Sequence, residues 1–132
     1  MRGETCLELR QRILPAATDR GLRFLRRALL ANSRLLLRGT FSRGGRGCLV
    51  HHLGRFHPAC AGAESPGLRF LELCGLGGTT IDHAEGKTVG SRLIYDWDSH
   101  AVAGTELVRV PANELRARRA AERRRKPRGV LS

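Results

Sequence analysis

Lysine is nearly missing from this chain: Lys87 and Lys126 stand against 22 arginines. Aromatic residues are also few, namely Phe24, Phe41, Phe56, Phe70, Tyr95 and Trp97. The apolar residues are mostly leucine and alanine. That scarcity of valine, isoleucine and tyrosine argues against a sheet-built core and for a helical one. The four cysteines, Cys6, Cys48, Cys60 and Cys74, are scattered and lack the spacing of a secreted disulfide scaffold. No apolar leader precedes them, so reduced thiols in the cytoplasm are the expectation. No stretch approaches the roughly 18 uncharged apolar residues of a membrane span, so no transmembrane segment is expected. The glycine-rich stretches "SRGGRG" and "GLGG" lack the lysine of a P-loop and the strand that precedes a dinucleotide fingerprint.

What is present is helix punctuation. Thr5 with Glu8 three residues on has the form of a capping box for a helix over 5–14. Cys6, Leu9 and Ile13 form its stripe, widened by Leu7 and Leu14, and Pro15 stops it. Asp19 is the expected cap of a second helix, in which Leu22, Leu25 and Leu29 oppose Arg20, Arg23 and Arg27. "NSRLLLRGT" reads as a short helical piece ended by Gly39. "GCLVHHLGRF" reads as a helix through Phe56, broken by Pro58. Ser65 as cap, Pro66 at the first position and Gly75 past the end bracket a further helix. Thr88 opens another, with Val89, Leu93 and Trp97 at i+4 steps and Ile94 beside them. "AVAGTELVRVP" is open between a helical turn and a strand. The last segment, from Pro111 to Pro127, is helical by propensity but has little to bury.

These signals agree with one another, and there are no internal repeats. At 132 residues one domain is expected. The sequence predicts an all-α fold: a small bundle of five to six short helices over 1–110, followed by a mobile basic helix or tail over 111–132.

The net charge of +12 is unevenly placed. Residues 1–46 carry +8, residues 47–115 carry −3, and residues 116–132 carry +7. Two basic ends around an acidic middle favour an anionic partner, nucleic acid or an acidic protein surface. Arginine suits bidentate phosphate contacts. The arginines expected to make them are Arg20, Arg23 and Arg27 in the second helix and Arg116, Arg119, Arg123, Arg124 and Arg125 in the tail. Arginine and alanine richness is also what a GC-rich genome writes at indifferent surface positions.

The one compact group of potential ligands is "CLVHHLGRFHPAC". Cys48, His51, His57 and Cys60 make a Cys2His2 set of the kind zinc takes. Zinc fingers space their ligand pairs by roughly twelve residues or more, and the gap here is shorter. The competing reading is a core helix whose histidines are partly exposed, with cysteine as a small buried hydrophobe. Cys48 or Cys60 beside a histidine would also suit a nucleophile, but no oxyanion hole or pocket accompanies them. "YDWDSH" offers Asp96, Asp98 and His100 as an acid–base or metal group, against a plain reading with Trp97 inward and the aspartates in water.

No motif names a family. The expectation is therefore a non-enzymatic binding protein without a cofactor, contacting nucleic acid or another polyanion through its arginines. The alternatives are a protein-interaction adaptor, in which the leucine stripe of 22–30 or 35–37 packs against a partner helix or a second copy of the chain, and a zinc-dependent regulatory domain over 48–60.

Overall fold

The structure, a computed structural model, describes residues 3–40, 42–76, 81–82, 87–88 and 91–125. The fold is all-α. Helix α1 runs Gly3–Glu8 and continues as a π turn, Leu9–Ile13, and a 3₁₀ turn, Leu14–Ala16. It is followed by α2 (Asp19–Leu30), α3 (Leu49–Arg55), α4 (Pro66–Leu73), α5 (Arg92–Asp98), α6 (Gly104–Leu107) and α7 (Arg109–Arg125). Between α4 and α5 the two-residue strands β1 (Ile81–Asp82) and β2 (Lys87–Thr88) pair antiparallel, Ile81 opposite Thr88.

The first helix differs from its expected form. It starts before Thr5, and Thr5 caps nothing: it is fully buried and donates its hydroxyl to Asp96. Leu7, expected in the stripe, is 51% exposed. Thr5, Leu9 and Ile13 are buried at four-residue steps, and Leu14 is buried beside them as expected. A strict four-residue repeat drifts around an α-helix, and the wider π turn at Leu9–Ile13 holds it in line. Glu8 also serves elsewhere. Its carboxylate accepts from the backbone N–H of Arg92 at 2.8 Å and of Leu93 at 2.9 Å, and from the Ser91 hydroxyl at 3.0 Å. It thus closes the N-terminus of α5, where orphan donors and the helix dipole both favour an anion.

Three helices end alike. After α2, α4 and α5 the chain turns left-handed at Asn32, Gly75 and His100, with φ of 48°, 77° and 61°. In each case the next residue's N–H returns to a carbonyl five back: Ser33 to Ala28, Leu76 to Leu71, Ala101 to Asp96. This is the Schellman arrangement. Ser65 caps α4, with Pro66 at its first position, as the sequence indicates. Thr18, one residue before the expected Asp19, caps α2 through Gly21 N–H at 3.1 Å. Ser91 caps α5. Thr88 opens no helix and lies in β2, while Val89 is outside the described residues.

The stretch 32–40 is not helical. Leu37 N–H donates to Gly47 O, and Gly47 N–H to Leu35 O, so this segment runs beside the approach to α3. The Leu37 carbonyl accepts the Trp97 indole N–H at 3.0 Å. These nonlocal backbone bonds outweigh the local helix propensity.

The core joins Leu9, Ile13, Leu22, Leu25 and Leu29 to Val50, Leu53, Phe70, Leu71, Leu93, Trp97 and Leu107. Helices α3 and α4 pack most closely. Gly54 lies so near the Pro66 carbonyl that a Cβ there would overlap it. Pro111 is buried, and Val110 and Leu115 of α7 lean on the core. Helix α7 is described through Arg125; the expected stop at Pro127 and the chain beyond lie outside the described residues. No described helix is long and apolar enough to cross a membrane.

Candidate nucleic-acid interface

Helix α2 divides cleanly. Leu22, Leu25, Ala28 and Leu29 point into the core, while Arg20, Arg23, Arg26 and Arg27 are exposed. The predicted Arg20, Arg23 and Arg27 therefore stand on the outer face, and Arg26 joins them. The leucine stripe proposed for a partner helix is consumed by the chain's own core. From that stretch only Leu30, 58% exposed, and Leu35 remain outside.

Helix α7 lies against α2 and runs antiparallel to it. At one end Gly104, the first residue of the short α6 that leads into α7, approaches Leu29. At the other, Arg118 donates to Asp19 Oδ1 and to Leu14 O, both at 2.7 Å, while its Nε pairs with Glu114 at 3.2 Å. Arg118 thus locks the two helices together. Arg116, Arg119, Arg123, Arg124 and Arg125 are all exposed, and Arg116 also bonds Asn113. The two basic segments, far apart in sequence, are neighbours in space. The last turns of α7 pass the start of α2, since seven residues of helix beyond Arg118 span about 10 Å.

A further arginine belongs to this surface. Arg55, at the end of α3, lies over Phe24 at 4.3 Å and Phe56 at 4.1 Å from the ring centroids. Arg20 lies over Phe56 as well, at 5.6 Å. Cation–π contacts of this kind each contribute about 0.5–2 kcal/mol, depending on desolvation. Arg55 Nε donates to His52 Nδ1 at 2.9 Å, and His52 Nε2 meets the Leu35 carbonyl at 2.7 Å. That geometry requires the neutral imidazole with its proton on Nε2. The His52 pKa is pushed down to about 4, chiefly by burial; the bond to the Leu35 carbonyl opposes this and the Arg55 charge adds to it. Sequence reasoning missed this cluster, because Phe24, His52, Arg55 and Phe56 come from two distant helices.

The Cys/His group takes a different form from a metal site. Cys48 is buried, and desolvation pushes its thiol up to about 12. Such a thiol stays protonated at neutral pH and is a poor nucleophile. His51 and His52, expected to be partly exposed, are both buried. His57 Nδ1 accepts from Ala59 N–H at 3.1 Å, and Cys60 is buried with its thiol raised by desolvation. Among the described residues no group of three or more His, Cys, Asp or Glu is placed to hold a metal ion. Of Cys74 and His83, which could stand in for one ligand pair, Cys74 is buried and His83 lies outside the described residues.

The acidic stretch is also reassigned. Asp96 does not face water: it is 2% exposed, accepts from Thr5 and lies 3.8 Å from Arg92 Nε. Asp98 Oδ1 accepts from Gly39 N–H at 2.7 Å. Arg38 stacks 3.7 Å above the Trp97 ring and donates to the carbonyls of Trp97 and Val102. An arginine from the basic N-terminal half thus meets the end of α5, where a cation favours the dipole. No family model, no curated protein and no solved structure matches this chain.

Proposed function

We propose that this protein is a non-enzymatic binder of polyanions, nucleic acid foremost, through the exposed arginines of α2 and α7. One observation carries the reading. Most carboxylates near these helices are committed internally, Asp19 and Glu114 to Arg118, Glu8 to α5, and Asp96 to Thr5, which leaves the exposed Glu122 of α7 against the surrounding arginines. Arg20, Arg23, Arg26 and Arg27 are left without an acidic partner among the described residues. Uncompensated guanidinium charge on one surface attracts phosphate and releases counterions on binding.

The test is the salt dependence of nucleic-acid affinity. Replacing Arg20, Arg23 and Arg27 together by alanine should weaken binding uniformly across sequences and flatten the log–log salt slope by about 2. Absence of measurable affinity at low salt would end this reading. The adaptor alternative is left with Leu30 and Leu35, since Leu22, Leu25 and Leu29 are internal. Isolated exposed leucines are ordinary on a protein surface and do not call for a partner.

A further inference from the structure

We infer that the polyanion is single-stranded nucleic acid, taken on the α2–α3 face with the Arg55 guanidinium as the plane on which a base stacks. The inference rests on the polyanion reading above and narrows it. Three features of the face support it.

The first is how Arg55 is held. Other arginines with firm side-chain partners meet carboxylates or carbonyls: Arg69 with Glu72, Arg118 with Asp19 and Glu114, Arg38 with Trp97 O. Arg55 is fixed instead by two phenyl rings and by His52 through its Nε. Its two terminal nitrogens have no partner among the described residues. The guanidinium is oriented, yet its charge and remaining donors stay available.

The second is the surroundings. Phe24 and Phe56 are half-buried, so each ring is anchored and still reaches the surface. Arg20 shares the Phe56 ring with Arg55 and links this cluster to Arg23 and Arg27 along α2. Guanidinium planes and aromatic rings beside a cationic track are what single strands use: bases stack and phosphates follow the charge.

The third is a steric argument against reading a duplex. A helix enters the major groove, about 12 Å wide, only when it stands clear of its neighbours. Helix α2 is flanked by Phe56 and Arg55 of the α3 end on one side and by α7, through Arg118, on the other. Its exposed face carries arginine, Asp19 and Leu30; arginine can contact guanine edges, but only on a helix free to enter the groove.

The test uses the full chain and fluorescence anisotropy at low salt. Three probes are compared: a thymidine oligomer of about 20 nucleotides, which exceeds one binding-site length, a duplex of matching length, and inorganic polyphosphate of matching charge. The single strand should bind about tenfold more tightly than polyphosphate, the gain expected from stacking one or two bases. Arg55→Lys keeps the charge and removes the plane; it should forfeit that advantage while leaving polyphosphate affinity within about twofold. Phe56→Leu should do the same by removing the support, which covers the case in which Arg55→Lys does not fold. Arg69→Lys, on α4 and paired with Glu72 away from this face, should change nothing. Equal affinity for all three probes, or an Arg55→Lys protein that binds the oligomer like the wild type, overturns the inference and leaves the polyanion reading standing. No binding to any probe overturns both.

Discussion

Around α5, arginine is tied down: Arg92 lies between Glu4 and Asp96, and Arg38 is stacked on Trp97 and bonded to two carbonyls. Around α2 and the end of α3, five arginines, Arg20, Arg23, Arg26, Arg27 and Arg55, meet no carboxylate among the described residues. The difference is one of cost. Ion pairs at α5 are partly desolvated, so removing one partner strands the other. Charges on α2 are in water, where they repel weakly and add little to stability. The same residue type therefore holds the fold on one side and supplies surface potential on the other.

Substitutions at α5 should break this contrast most visibly. Asp96→Ala leaves the buried Thr5 hydroxyl without its acceptor and takes a nearby carboxylate from Arg92. The expected loss is about 3 kcal/mol in urea unfolding. Asp96→Asn keeps an acceptor for Thr5 and should lose clearly less. Glu8→Ala comes next. It opens two backbone N–H groups at the start of α5, and about 2 kcal/mol should be lost, part of it restored by Glu8→Gln.

A pH titration sharpens the comparison on the α2–α3 side. The folded state holds His52 near pH 4, below its ordinary 6.5, so the unfolded chain binds more protons between those values. Stability is then full above about pH 6.5 and falls as pH drops toward 4. His51, lowered by burial and by Arg55, adds in the same direction. The urea midpoint should decline between pH 7 and pH 5, and His52→Gln should flatten that decline. The smallest effect is expected on the open face: Arg23→Ala should alter unfolding stability by no more than about 0.5 kcal/mol. An Arg23→Ala protein with a large stability loss would erase the distinction between the two regions.

Local signals carried over from sequence to structure, and nonlocal ones did not. Ser65, Pro66 and Gly75 bracket α4 because a cap, a first-turn proline and a left-handed glycine act within a few residues of themselves. Thr5 and Glu8 look like a local capping box, yet their partners are Asp96 and residues 91–93. "NSRLLLRGT" has helical composition, but its backbone is claimed by Gly47 and Trp97. The candidate interface was half legible. Arginine periodicity on α2 shows which way Arg20, Arg23 and Arg27 face, because burial of the leucines fixes the helix rotation. Nothing local announces that α7 lies beside α2, or that Arg55 meets Phe24 across two helices.

The seclusion of the thiols turns the chain into a reporter of its own opening. Cys48, Cys60 and Cys74 are buried, with their thiols held protonated by desolvation, while Cys6 is only half-buried. An alkylating reagent should therefore mark Cys6 first. Modification of Cys48 then has to wait for α3 to leave the core, so its labelling rate reads the frequency of that excursion without a probe or a tag.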